Sequence, residues 1–209
     1  MLEFLKPSQR KLTILASLYA ALFVIAPVIS NRIVDILGAK VLLGSILLIV
    51  ALGLLDVINN DFGLQKARDV IVAGLVTRLV VWALVSGLLM LPVLSEPVGF
   101  RAMVASSLTL LLAGEVSIFV SQYFVDVRVF DYLKTRYRSF IVRYNVSNLI
   151  SYTLGLLVFL LIAFWDKDVD IVGLFFGQLG LRLVLQFALA PVFWILSPLS
   201  SSAEPIDPK

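Results

Sequence analysis

The 209-residue sequence contains no cysteine and no histidine. The lack of cysteine excludes disulfide bonds, thiol nucleophiles and iron–sulfur ligation. The lack of histidine removes the commonest metal ligand and the side chain best suited to proton relay near neutral pH. Charged residues make up only 15% of the chain, and no group of carboxylates has the spacing of an oxygen-ligated metal site. We therefore expect neither a metal nor a cofactor.

Apolar residues dominate instead, at 60% of the chain, and the mean hydropathy is +1.02. Six apolar runs are each long enough to cross roughly 30 Å of hydrocarbon: Leu12–Ile29, Val41–Ile58, Val70–Leu91, Ala102–Val125, Val146–Trp165 and Ile171–Leu196. Backbone groups in lipid must pair internally, and the alternating pattern of a β-barrel is absent, so the runs are predicted to be helices. The predicted fold is all-α: a polytopic six-transmembrane-helix bundle over residues 1–197, followed by a disordered tail at 198–209.

The basic residues of the loops indicate the orientation. Ten lie at the N-terminus and in the second and fourth loops, whereas four lie in the other loops. By the positive-inside rule, both termini are expected in the cytoplasm, with the protein in the cell membrane. The positive net charge then reports topology, and no nucleic-acid partner is expected.

Two charges fall near the middle of apolar runs, Glu115 in the fourth and Arg182 in the sixth. A charge at the bilayer centre costs at least about 2.5–3.5 kcal/mol, so such residues tend to mark substrate or ion pathways. Their similar depth would let them form an ion pair if their helices face each other. Gln178 and Gln186 extend the polar stripe around Arg182. Arg78, eight residues into the third run, is expected to reach the cytoplasmic interface.

A second group of polar residues lies near the cytoplasmic ends of the second, fourth and fifth spans. Its amide groups offer both donors and acceptors, as recognition of a purine-like ring requires. The alternative is that these groups only cap helices and contact water. The group comprises Asp56, Asn59, Gln122, Asp126, Asn145, Asn148 and Tyr152.

Five blocks of residues resemble the pattern of one transporter family. They are Ser30-Asn31; Leu55–Asn59 with Phe62-Gly63 and Ala67-Arg68; Gln122 with Val125–Val127 and Val129-Phe130; Arg143, Asn145, Ser147 and Ser151 leading to Ile162–Phe164; and Arg182 nine residues before Pro191. In this order they resemble the queuosine-precursor transporter family, also called the VUT family of vitamin-uptake-like transporters. The sequence departs from that pattern at Gly155, where Asp is expected, at Asp69 and Leu189, and in having Glu115.

The resemblance implies a membrane transporter, not an enzyme, that imports 7-deazaguanine-type precursors of queuosine or archaeosine by alternating access. The substrate-binding residues are then expected to be Glu115, Arg182, Gln122, Asn145, Asp56, Asn31, Gln178 and Tyr152. Gating or structural polar roles are expected for Asp126, Arg68, Asn59 and Asn148. The expected partners are a small heterocyclic substrate and the lipid bilayer, with a second copy of the chain or an ATPase coupling module as further options.

Three other classes of protein are alternatives to a solitary transporter. A substrate-binding S component of an energy-coupling-factor vitamin transporter also has six helices, and the small residues Ala16 and Ala20 would suit docking to its partner. A membrane enzyme lacks support, because neither metalloprotease nor serine-hydrolase motifs occur. A purely structural protein would not explain two charges at mid-membrane depth.

Overall fold

The computed structural model describes residues 7–36, 38–92 and 98–197. The predicted disordered tail, 198–209, lies outside the described residues. Within them the helices are α1 (Pro7–Ile29), α2 (Ser45–Phe62), α3 (Leu64–Leu88), α4 (Phe100–Ile118), α5 (Val127–Lys134), α6 (Phe140–Phe164) and α7 (Ile171–Leu196). A π-helical segment, Phe119–Asp126, joins α4 to α5 without a break.

The described chain contains six helices that are long and apolar enough to cross a membrane, with α4, the π-helical segment and α5 counted as one of them. The six-helix bundle predicted from hydropathy is thereby confirmed. Large apolar side chains cover the outside of the bundle, including Val76, Leu84 and Val184, which are 54%, 62% and 68% exposed. Such a surface suits a lipid environment, because exposing apolar side chains to lipid tails costs no free energy.

Several helices begin earlier than their apolar runs. α3 starts at Leu64 and α6 at Phe140, about two turns before the predicted spans. Gly63 separates α2 from α3 with a φ of +86°, and its N–H closes α2 on the Asn59 carbonyl. A residue with a Cβ adopts that left-handed conformation only with strain, which is why the two helices join through a single glycine.

The alternating basic and aromatic residues of region 127–144 predict one interfacial amphipathic helix, and the structure contradicts this prediction by dividing the region. Its first half, α5, continues the fourth span, and its second half is a short non-helical connection followed by the first turn of α6. Val127, Phe130 and Leu133 lie buried on one face of α5. The alternation of basic and apolar residues therefore reflects a helix end packed on the bundle.

A β-hairpin between α1 and α2 was not predicted. Strands β1 (Ile33–Ile36) and β2 (Ala39–Leu42) pair antiparallel, with Ile33 opposite Leu42. β2 packs directly on α7 at Gly177, where a Cβ would overlap the backbone of Lys40. The hairpin thus covers one end of the bundle, which we call the hairpin end.

An exposed ion pair also fastens the hairpin to the start of α7. Asp170 caps that helix by accepting a hydrogen bond from the Gly173 N–H at 2.8 Å, and Lys40 Nζ lies 3.2 Å from its carboxylate. The Gly173 amide, followed by the Lys40 ammonium, holds the pKa of Asp170 below its usual range. The hairpin is therefore attached to α7 by charge as well as by packing.

The main apolar core lies between α1, α2 and α3, and the ends of α5, α6 and α7 pack against it. Tyr19 stacks on Phe23 inside it, with ring centroids 5.1 Å apart. A smaller cluster joins β2, α4, α6 and α7. The space between the two clusters forms the cavity described next.

Candidate functional site

A central cavity lies within the bundle, where every spanning helix and strand β2 contribute to its wall. It contains about 720 Å³ of space free of protein atoms, including its opening. The wall is largely apolar, with polar positions at Ser30, Ser45, Arg78, Ser117, Ser121, Gln122, Tyr152 and Gln178.

Two buried amide side chains on this wall have atoms without a hydrogen-bond partner among the residues that the structure describes. Gln178, on α7, is 1% exposed, and neither its Oε1 nor its Nε2 has a partner. Gln122, in the π-helical segment, is equally buried, and its Oε1 has none. An unpaired buried polar atom costs about 1–3 kcal/mol. These atoms are therefore suited to bind a polar ligand in the cavity.

Arg182 lies beside the cavity rather than on its wall. Its guanidinium carbon is 4.7 Å from the centroid of the Tyr152 ring, and Tyr152 itself lines the cavity. Arg182 Nη2 donates to the Asn148 side-chain oxygen, and Asn148 Nδ2 donates to Asp56 at 2.5 Å. A continuous polar network thus leads from Asp56 on α2, through α6 and α7, to the cavity wall.

Asp126 joins this network from the end of the π-helical segment. Ser151 Oγ donates to its carboxylate at 2.8 Å. Asp126 and Asp56 are both 1% exposed, and their donors, Ser151 and Asn148, lie one turn apart on α6. The structure therefore brings together Asp56, Asp126, Asn148 and Arg182, which the sequence had divided between binding and structural roles.

Glu115 does not pair with Arg182. It accepts a hydrogen bond from Arg78 Nε, and Arg78 is only 1% exposed. The expectation that Arg78 reaches the interface is wrong, because α3 begins at Leu64 and places Arg78 about 20 Å from the helix start. The Arg78 guanidinium also lies 3.9 Å from the centroid of the Phe23 ring. Arg78, rather than Glu115, lines the cavity.

Two predicted ligand contacts lie away from the cavity. Asn31 bonds through its amide to Ser106 and Ser107, joining α1 to α4 at the hairpin end. It borders a smaller pocket there. Asn145 receives a hydrogen bond of 2.9 Å from Gln186 Nε2, which joins α6 to α7. The structure gives both residues contacts between helices.

The remaining predicted polar residues lie at the end of the bundle opposite the hairpin. Asn59 donates to the Val127 carbonyl at 3.3 Å and accepts from Lys134 Nζ at 3.2 Å. Arg68 lies with its guanidinium carbon 5.1 Å from the centroid of the Tyr123 ring. These contacts connect α2 and α3 to the end of the long fourth span.

The sequence analysis missed the two serines on the fourth span. Ser117 and Ser121 are one helical turn apart, and both line the cavity. Ser117 Oγ donates to the Gly155 carbonyl at 2.7 Å. The spacing of four residues between small polar side chains was the available signal, since it is typical of close helix contacts in membranes.

Gly155 explains one departure from the family pattern. A Cβ at this position would lie 2.6 Å from Ser121 Oγ and 2.9 Å from Ser121 Cβ. The missing side chain lets α6 approach the fourth span closely enough for the hydrogen bond from Ser117. An aspartate would not fit here unless the helices moved apart.

We expect Gly155→Ala to lower the free energy of unfolding by about 1–3 kcal/mol, the usual cost of overpacking. Gly180→Ala, on α7, is the control, because nothing lies within 4 Å of the Cβ it would add. Thermal unfolding of the purified variants in detergent measures both effects. An unchanged midpoint for Gly155→Ala would show that the helices are less closely packed than described.

The π-helical segment shapes the part of the wall that carries Ser121 and Gln122. The Val127 N–H bonds to the Gln122 carbonyl, five residues back, instead of four as in an α-helix. Such wide turns occur most often at functional sites. This segment also ends in Asp126, so it positions residues of both the cavity and the polar network.

A family profile described as "Putative vitamin uptake transporter" matches residues 42–196. The chain belongs to this family. The match covers most of the chain and includes every spanning helix except α1. It confirms the resemblance inferred from the five sequence blocks. A comparison with curated proteins and another with solved structures each found no match.

Membership of this family makes the protein a multi-pass membrane transporter for a small molecule. The cavity is its candidate substrate site, because it is the place where all six spans meet around unpartnered polar atoms.

Proposed function

We propose that this transporter imports 7-deazaguanine-type precursors of queuosine or archaeosine. It binds them in the central cavity and carries them across the membrane by alternating access. The observation that supports the substrate class is the free amide of Gln178 on the cavity wall. A carboxamide offers one donor and one acceptor side by side. It can therefore pair with the adjacent N–H and carbonyl of a lactam ring, as found in 7-deazaguanine.

The other groups on the wall suit the rest of such a ring. Gln122 Oε1 is a free acceptor for an exocyclic amine, and Arg78 Nη2 is a free donor for a carbonyl. Tyr152 and Phe159 supply aromatic surface for a planar molecule. Recognition would therefore use amide groups and Arg78, rather than the carboxylates of Glu115 and Asp56, which do not line the cavity.

We place both termini in the cytoplasm of the cell, with the hairpin end outside. Charge supports this orientation, because the end opposite the hairpin carries Lys66, Arg68, Arg128, Arg136 and Arg138. The substrate would then enter from the hairpin end and leave beside the polar network of Asp56 and Arg182.

The small residues of α1 do not exclude the S-component alternative. Ala16 packs partly against the apolar core, so the pair Ala16 and Ala20 faces the bundle more than a partner. The pair Ser17 and Ala21 is exposed instead. Uptake by the chain alone distinguishes a solitary transporter from an S component, which needs its partner for uptake.

Equilibrium binding of a radiolabelled 7-deazaguanine base to the purified protein tests the proposal. Guanine should displace the label because it presents the same lactam edge, whereas adenine should not. We expect Gln178→Leu to weaken binding about 10–100-fold, since a hydrogen-bonded group contributes roughly 1–3 kcal/mol when its partner is left unpaired. Gln65→Leu, an exposed position on α3, is the matched control.

Two results would contradict this account of the site. Displacement of the label by adenine as well as by guanine would show that no lactam edge is recognised. Equal loss of binding in the Gln178 and Gln65 variants would show that the change reflects general damage to the fold.

A further inference from the structure

Asp56 of α2 and Asp126 of the π-helical segment accept hydrogen bonds from Asn148 and Ser151, which lie one turn apart on α6. Both residues are 1% exposed. Donors one turn apart on the same helix bring the two carboxyl groups to neighbouring positions in the membrane interior. Like charges this close also disfavour double ionisation. The geometry therefore describes a pair of carboxyl groups that shares one proton.

The groups around this pair also contain unsatisfied polar atoms. Arg182 of α7, 1% exposed, has no partner for Nε or Nη1. The hydroxyl of Tyr144 on α6 is buried and also lacks a partner. Arg182 reaches the pair through Asn148, whose Nδ2 also donates to the Tyr144 carbonyl at 2.9 Å.

The sum of the charges in this cluster also favours one proton bound to the two carboxyl groups. With both carboxyls ionised, the two aspartates and Arg182 would leave a net negative charge in the membrane interior. One bound proton makes the cluster neutral, and burying an unpaired charge is far more costly than burying a neutral group. A metal cation is less suitable, because Arg182 would repel it. Among the described residues, moreover, no three acidic, cysteine or histidine side chains converge.

We propose that the Asp56–Asp126 pair is a proton-binding site that couples substrate import to the proton gradient, with one proton moving inward for each substrate molecule. This inference rests on the proposed transport function and adds its energy source. The proton is taken from water at the hairpin side, forms an O–H bond with one carboxyl oxygen, and is returned to water on the other side when that bond breaks. No other atom is exchanged.

The polar network supplies the connection between the proton and the substrate. Asn148 contacts both Asp56 and Arg182, and Arg182 lies on the Tyr152 ring that lines the cavity. Loss of the proton adds a negative charge, which attracts Arg182 toward the carboxyls and away from the ring. Proton binding and substrate binding then affect each other through the same guanidinium, as reciprocal linkage requires.

Proteoliposomes containing only this chain test the coupling in two assays. Exchange of labelled for unlabelled substrate without any gradient measures transport itself. Accumulation under an inward gradient of one pH unit measures coupling, and one proton per substrate permits up to about tenfold accumulation. We expect the wild type to perform both. Asp126→Asn and Asp56→Asn should keep exchange but lose accumulation, whereas Asp168→Asn, an exposed loop position, should lose neither.

Infrared spectroscopy of the purified protein tests proton occupancy without any substrate. We expect a protonated-carboxyl stretching band at neutral pH that disappears in Asp56→Asn or Asp126→Asn and persists in Asp168→Asn. An unchanged band would overturn the shared proton even if a variant transports poorly. Accumulation driven by a sodium gradient and not by pH would overturn the choice of ion. If the wild type shows the band but no exchange, the proposed substrate is wrong and the proton site remains.

Discussion

We expect replacement of Arg182 with methionine to abolish uptake, lowering its rate by at least about 100-fold. Removing one member of a buried charge network costs about 3–5 kcal/mol, because the remaining charges lose their partner. Here the substitution would leave Asp56 and Asp126 without a cation and Asn148 with a free acceptor. It would also remove the guanidinium from the Tyr152 ring on the cavity wall. Uptake of the labelled base into proteoliposomes measures the loss.

Two further variants separate a loss of function from a loss of folding. Arg182→Lys retains the positive charge but not the planar group that lies on Tyr152, so it should retain a small part of the activity. The double variant Arg182→Met/Asp126→Asn keeps the cluster able to reach neutrality. It should therefore fold like the wild type and still fail to transport. Normal uptake by Arg182→Met would show that the network is only structural.

The second large effect concerns the ion pair between Arg78 and Glu115. Their side chains are 2% and 11% exposed, so each single substitution leaves a buried charge unpaired. We expect Arg78→Met and Glu115→Gln each to lower the free energy of unfolding by about 3–5 kcal/mol. The double variant Arg78→Met/Glu115→Gln should be more stable than the sum of the two losses implies, because neutral partners replace the pair.

Thermal unfolding of the four proteins in detergent completes this double-mutant cycle. Lys66→Met/Asp69→Asn is the control pair, since both of its side chains are more than half exposed and 3.6 Å apart on α3. An exposed pair contributes about 0–1 kcal/mol. Additive losses at Arg78 and Glu115 would show that the two residues do not interact. Uptake should fall in both single variants, because Arg78 lines the cavity.

The six spans followed from the sequence because long apolar runs have one stable arrangement in a membrane. Their ends did not follow, since helices such as α3 continue past the apolar run into residues such as Gln65 and Lys66. This difference misplaced Arg78. Counted from Val70 it lies near the interface, whereas counted from Leu64 it lies deep within the bundle.

The choice of partners for the buried charges needed the structure. Depth along a helix can be counted from the sequence, but rotation about the helix axis and the order of helices in the bundle cannot. Glu115 and Arg182 have similar depths and still point to different partners, Arg78 and Asn148. The π-helical turns after Ile118 make side-chain directions harder to predict, because they rotate every later residue of the fourth span around the helix axis.

Some site residues were predictable because their chemistry is unusual in lipid. Gln122, Gln178 and Tyr152 were selected from the sequence as polar positions in apolar runs, and all three line the cavity. The hairpin over the cavity was missed, since strands of four residues between two spans resemble an ordinary loop. Its contact with α7 depends on Gly177, whose role appears only once the helices are packed.

Uptake of a radiolabelled 7-deazaguanine base into proteoliposomes containing only this chain tests the central claim most directly. The account predicts saturable uptake that guanine inhibits, that adenine leaves unchanged, and that Gln178→Leu weakens. Binding without uptake would contradict a solitary transporter and favour a substrate-binding subunit that needs an ATPase module. If the protein neither binds nor takes up the base, the proposed substrate class itself is wrong.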